Sequence, residues 1–194
     1  MSDFEFYFSY YGLLLGFSVA TVIGGLARAL NERERARIGV LTPLLALFVL
    51  LDISSFWLSA WDERETLRIG WAVLFSGLAV AGTYYLSASL VFPNRDDHWP
   101  SLEDHYWARK RWVVGGLLAI NLVLMVEAFM GRPPAWDDWL AWVWQLAYFA
   151  PLLALIFSRR RAVDLGLLIF LILFYLTIAL GLLPESQWGQ GSAL

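Results

Sequence analysis

Asp52 is the residue of this sequence best placed to do chemistry. It lies inside LFVLLDISSFWLSAW, a run otherwise built of aliphatic, aromatic and serine residues. Glu127 stands in a similar setting, LVLMVEAFM. An ionisable side chain inside an apolar membrane span costs at least about 2.5–3.5 kcal/mol and is therefore turned to the bundle interior, to water or to a partner. Two carboxyls at one depth can share a proton or hold a small cation. Ser54, Ser55 and Ser59 continue the polar character beyond Asp52, and Asn121 and Gln145 add uncharged polar groups in other apolar runs. Asp52, Glu127, Asn121 and Ser55 are accordingly the candidate ion or proton path. The plainer alternative is that Asp52 hydrogen-bonds a serine or asparagine of another helix and only ties the two together. Glu127 lies near the end of its run and can reach interfacial water unaided. No basic residue shares their depth, so a buried salt bridge is not expected there.

The polar segment PNRDDHWPSLEDHYWARKRW holds both histidines, His98 and His105, and the single lysine, Lys110. Pro100 interrupts any helix through both histidines, and the spacing matches no known metal-ligand pattern, so no metal is expected. The more regular local reading is a helix starting at Ser101, whose hydroxyl caps the first turn while Asp104 answers it. From there the chain runs along the membrane surface past Tyr106 and Trp107 before entering a span. Bis-histidine haem and a retinal Schiff base both need their residue inside a span, so no cofactor is expected. With no cysteine, thiolate chemistry and disulfides are excluded. Phosphate-binding glycine loops, HExxH and GxSxG are all missing, and no enzyme activity is expected.

The elements that must position these residues follow from composition. The chain has 194 residues, 59% of them hydrophobic and 16% charged, with a net charge of −3. Soluble domains average about 45–50% apolar and about 25% charged. Apolar runs of about 20 residues cross a bilayer, and six occur: 6–27, 38–60, 69–92, 112–130, 136–157 and 162–183. The expectation is an all-α integral membrane protein, a six-transmembrane-helix bundle forming one domain over 1–194. The first run follows Asp3 and Glu5 rather than a basic segment, which marks it as a retained helix rather than a signal peptide.

Basic residues near helix ends set orientation. Arg28, Arg33, Arg35 and Arg37, then Arg95, Arg109, Lys110 and Arg111, then Arg159, Arg160 and Arg161 occupy the first, third and fifth connections, against Arg64, Arg68 and Arg132 in the second and fourth. The odd connections therefore face the cytoplasm and both termini the non-cytoplasmic side of a cell inner membrane. Acidic Asp62, Glu63, Glu65, Asp137 and Asp138 lie outside. The arginine triplet is read as an orientation signal, with anionic headgroups as the alternative, and Asp164 as a cap for the sixth helix, whose apolar sequence faces lipid. Trp57, Trp61, Trp71, Trp136, Trp139, Trp142 and Trp188 are expected in the outer interfacial belt, with Trp99, Trp107 and Trp112 in the inner one.

Gly12, Gly16, Ala20 and Gly24 recur every fourth residue and form a small-residue ridge that lets two helices approach closely. Its partner is another helix of the chain or a second copy. Beyond the lipid bilayer, the expected partners are such a copy or another membrane protein, and not nucleic acid. Two three-span halves would be an inverted repeat if they repeat at all. Two functions fit: a channel or transporter moving protons or small cations past Asp52, or a non-catalytic structural or accessory subunit that oligomerises or packs in a larger membrane complex.

Overall fold

The computed structural model describes residues 3–31, 39–62, 70–94, 99, 101–131 and 133–182. Arg33, Arg35, Arg37, Glu63, Arg64, Glu65, Arg68, Arg95, His98, Pro100, Arg132 and Trp188 lie outside them, as do both termini. The described chain is all helical: α1 (Asp3–Asn31), α2 (Leu41–Asp62), α3 (Trp71–Ser89), α4 (Leu102–Gly131), α5 (Trp139–Phe157) and α6 (Arg161–Ala179). All six are long and apolar enough to cross a membrane, which is the signature of a multi-pass membrane protein.

Contacts close the helices into a ring in the order α1, α3, α4, α5, α6, α2, and α2 also reaches across to α4. That crossing makes α2 the most interior helix, half of its apolar window being buried. Its buried residues Leu41, Leu45, Phe48, Val49, Asp52, Ile53 and Phe56 repeat at helical spacing along one side. α6 is not simply lipid-facing. Asp164, Leu168, Leu171, Ile172 and Tyr175 line a buried seam, while Ile169, Phe170, Leu173 and Leu176 stay exposed.

The largest departure from the sequence reading concerns the stretch before Trp112, where the helix α4 that starts at Leu102 runs on into the span instead of lying along the membrane surface and turning into it. Ser101 caps it as expected: its Oγ donates to Asp104 Oδ2 at 2.6 Å and accepts from the Asp104 amide at 3.1 Å. The helix then continues unbroken for 30 residues. It carries Tyr106 and Lys110 into the protein instead of along its surface, because an ion pair and a hydrogen bond there replace the water that a loop would supply.

The small-residue ridge also reads differently. The α1 seam buries Tyr7, Tyr11, Leu15, Ser18, Val22 and Gly25 against its neighbours. Gly12 lies beside that seam, where an added methyl would meet the Trp57 ring at 3.0 Å. Among the described residues nothing lies within 4 Å of a methyl added at Gly16 and only Arg28 of the same helix lies near one at Gly24, while Ala20 is exposed. The close approaches that the fold needs are elsewhere. Gly77 makes room for the Tyr11 ring, Gly25 for Phe92 and Gly116 for Ser87.

Candidate functional site

Asp52 sits midway along α2 with no solvent exposure, and every other helix from α3 to α6 sends one polar side chain to it. The Tyr148 hydroxyl of α5 and the Tyr175 hydroxyl of α6 each donate to Oδ1 at 2.5 Å. Tyr84 of α3 donates to Oδ2 at 3.0 Å. Asn121 of α4 places its Nδ2 at 3.2 Å from Oδ1 and 3.4 Å from Oδ2, and gives its other hydrogen to the Leu117 carbonyl at 2.9 Å. An ionised carboxylate has about four acceptor positions. Three hydroxyls and one amide supply four donors, so the anion is solvated entirely by protein.

The hydroxyls also touch one another. Tyr175 and Tyr148 are 3.1 Å apart, and Ser55, one turn beyond Asp52, lies 3.5 Å from the Tyr175 hydroxyl while donating to the Asp52 carbonyl at 2.9 Å. Aromatic packing fixes the phenols in place. Tyr148 and Tyr175 meet edge to face, Phe48 lies against Tyr175, and Phe56 bridges Tyr84 to Tyr11 of α1. The cage turns hydrogens rather than lone pairs toward its centre, so its donors stabilise the Asp52 carboxylate. Among the described residues no three His, Cys, Asp or Glu side chains come together as metal ligands.

The sequence candidates separate in the structure. Asp52, Asn121 and Ser55 come together. Glu127 does not join them: it is exposed on the outer surface of α4. Six residues past Asn121, it is about 9 Å further along the axis and about two-thirds of a turn round from it. Residue counts placed the two acids at one depth, whereas in the structure both height along α4 and helical rotation part them. A groove of about 500 Å³ between α1 and α2 is lined by Phe8, Ser54, Trp57 and Leu58, so Ser54 faces away from the Asp52 cage. The three tyrosines were missed. Their signal is position, since Tyr84, Tyr148 and Tyr175 stand inside spans rather than at the boundaries where amphipathic rings collect.

A second buried polar centre was missed altogether. Lys110 of α4, 2% exposed, is ion-paired with Asp164 of α6, which has no exposure. Its Nζ also donates to the Ser158 carbonyl at 2.7 Å and lies 4.3 Å from the centre of the Trp107 ring. Tyr106 donates to the same Asp164 oxygen at 2.9 Å. Asp164 thus pairs across helices rather than capping its own helix, whose N-cap is Arg160 without a side-chain bond. Nearby, Thr42 donates to the Leu102 carbonyl at 3.0 Å, His105 Nε2 lies 3.0 Å from the Leu90 carbonyl, and Arg161 meets Glu103 at 2.8 Å. These bonds gather the start of α2, the end of α3, the start of α4, the end of α5 and the start of α6 at one end of the bundle.

Between the two centres the interior is apolar. Leu45, Phe48, Val114, Leu117, Leu152, Leu155, Leu168 and Leu171 are all buried there. Comparison with protein-family models, with characterised proteins and with solved structures finds no match for the chain.

Proposed function

We propose that this is an inner-membrane protein that moves protons or small cations, with Asp52 as the group that binds and releases the proton. The observation behind the reading is the make-up of the cage: three hydroxyls and one amide around a carboxyl, with no basic side chain among its bonded partners. A hydroxyl both donates and accepts. When Asp52 is ionised, the phenols turn their hydrogens onto it. When Asp52 binds a proton it becomes a donor, and one phenol accepts while redirecting its own hydrogen to a neighbour, Tyr175 to Tyr148 or to Ser55. Both protonation states are thereby hydrogen-bonded without water. A clamp made of amides or of an ion pair has no such freedom. Ser55 continues the hydroxyl chain by one turn in the direction α2 runs, toward the side that the arginine distribution assigns to the periplasm, together with both termini.

The test is flux in reconstituted vesicles that hold a pH-sensitive dye under an imposed pH or alkali-cation gradient. The wild type is expected to dissipate the gradient, and Asp52→Asn to abolish the flux while keeping its helical content. Wild-type vesicles as tight as empty ones overturn the reading.

The complete seal around Asp52 favours a second reading, a non-catalytic accessory subunit in which the centre only cross-links five helices. It expects no gradient-driven flux from the wild type, and Asp52→Asn to fold and assemble as the wild type does.

A further inference from the structure

We infer that Asp164 is a second proton-binding carboxyl, at a level of the bundle three helical turns from Asp52, where α4 and α6 again contribute side chains. Lys110 and Asn121 are eleven residues apart on α4, and Asp164 and Tyr175 are eleven apart on α6. Eleven residues make three turns and about 16 Å, so each helix presents the two centres on one face. Each centre is an aspartate receiving a tyrosine hydroxyl and a nitrogen donor, and at both the nitrogen comes from α4.

The two oxygens of Asp164 are unlike. Oδ2 accepts from Lys110 and from Tyr106, whereas Oδ1 is buried with no hydrogen-bond partner among the described residues. A buried carboxylate oxygen without a donor carries charge that nothing solvates. A proton bound at Oδ1 removes that charge and leaves the bonds at Oδ2 in place. One O–H bond forms, no covalent bond breaks, and the centre passes from net zero to one positive charge. Lys110 does not depend on Asp164 alone to hold that charge, because the Ser158 carbonyl and the face of Trp107 also support its ammonium group.

The charged and titratable groups around Asp164 are few. From α4 they are Lys110 and Tyr106, with exposed Arg111 beside Lys110. The α5 helix has no Asp, Glu, Lys or Arg, and α2 has Asp52 at the other centre and Asp62 at its far end. On its own turn are exposed Arg159, Arg160 and Arg161, the last bonded to Glu103. With the apolar layer between the centres, Asp164 exchanges with the arginine-rich end and Asp52 with the opposite one.

This inference extends the reading of Asp52 to a second carboxyl, and infrared spectroscopy of the protein in lipid reads the two separately. Spectra are recorded over a pH series in H2O and D2O. A protonated carboxyl gives a carbonyl band that shifts in D2O. The expected result is one such band lost in Asp164→Asn and a different one lost in Asp52→Asn. Lys110→Met should keep the Asp164 band and change its frequency, since the band's carboxyl loses its ion-pair partner. Asp164→Glu should displace the band rather than delete it, and it carries the test if the Asn variant loses its helices. A band set that neither Asp164 variant alters, over the pH range in which helical content is kept, overturns the inference. A spectrum with the Asp164 band present but no band that Asp52→Asn removes would instead count against the reading of Asp52.

Discussion

Lys110 and Asn121 stand three turns apart on one face of α4, and each donates to an aspartate of a different helix. That single face therefore fixes α4 at two levels, to α6 near one end of the bundle and to α2 near its middle. In lipid there is no hydrophobic drive between helices, so packing and polar contacts of this kind decide which helix sits beside which. The two levels differ in character. At Asp164 a cation balances the acid, whereas at Asp52 only neutral donors do. A proton bound at Asp164 therefore turns a neutral pair into a cation, whereas a proton bound at Asp52 neutralises a lone anion.

Removing one donor from the Asp52 cage should weaken the protein without unfolding it. Tyr148→Phe keeps the ring that packs on Tyr175 and Phe174 and deletes only the hydroxyl. A loss of about 1–2 kcal/mol is expected, since bonds to charged groups exceed the average for membrane helices. Reversible unfolding in mixed detergent measures it. Asp52→Leu should cost more, because it leaves three hydroxyls and an amide without their acceptor.

Lys110→Met should destabilise the bundle by about 3–5 kcal/mol, the usual cost of leaving one member of a buried ion pair alone. The double variant Lys110→Met with Asp164→Leu removes both charges and should recover much of that loss. A double-mutant cycle by the same unfolding assay gives the coupling directly. Additive losses would mean that the two charges are held by other groups.

The course of the chain was legible where periodicity and end signals speak for themselves. Six apolar runs became six helices, and the Ser101–Asp104 cap formed as its spacing implies. The level shared by Asp52 and Asn121 was also readable from residue counts. Glu127 was grouped with them because its depth was counted from Trp112 and azimuth was not used, and both its height and its direction differ. The first turns of α4 were laid along the membrane surface because Arg109, Lys110 and Arg111 look like a surface segment. In fact α4 turns Lys110 inward while its two neighbours stay exposed. Which acid meets that lysine is a tertiary fact, although the common spacing from Lys110 to Asn121 and from Asp164 to Tyr175 hints at it.

Orientation is open to a direct measurement. Arg28, Arg109, Lys110, Arg111 and the triplet 159–161 all lie toward one end of the bundle, and the positive-inside tendency predicts that end in the cytoplasm. A reporter active only in the cytoplasm should stay silent when fused at either terminus, and a reporter active only outside should work at both. The opposite pattern would reverse the sides assigned to Asp52 and Asp164 without altering the geometry of either.

The last expectation separates the seam that the fold uses from the ridge that the sequence displays. At Gly77 an added methyl runs into the Tyr11 ring, which stacks on Tyr7 and leans against Phe56, so it has little freedom to retreat. Gly77→Ala should therefore cost about 1–3 kcal/mol by overpacking. At Gly16 nothing among the described residues lies within reach. Gly16→Ala should be neutral, or stabilising by up to about 1 kcal/mol, since alanine is the better helix former. Unfolding curves of the two variants side by side make the comparison. Gly16→Leu then asks what the ridge is for. If its stability matches the wild type and its particle mass in detergent also matches, the ridge faces only lipid. If stability holds but the mass falls, the ridge is where two copies meet.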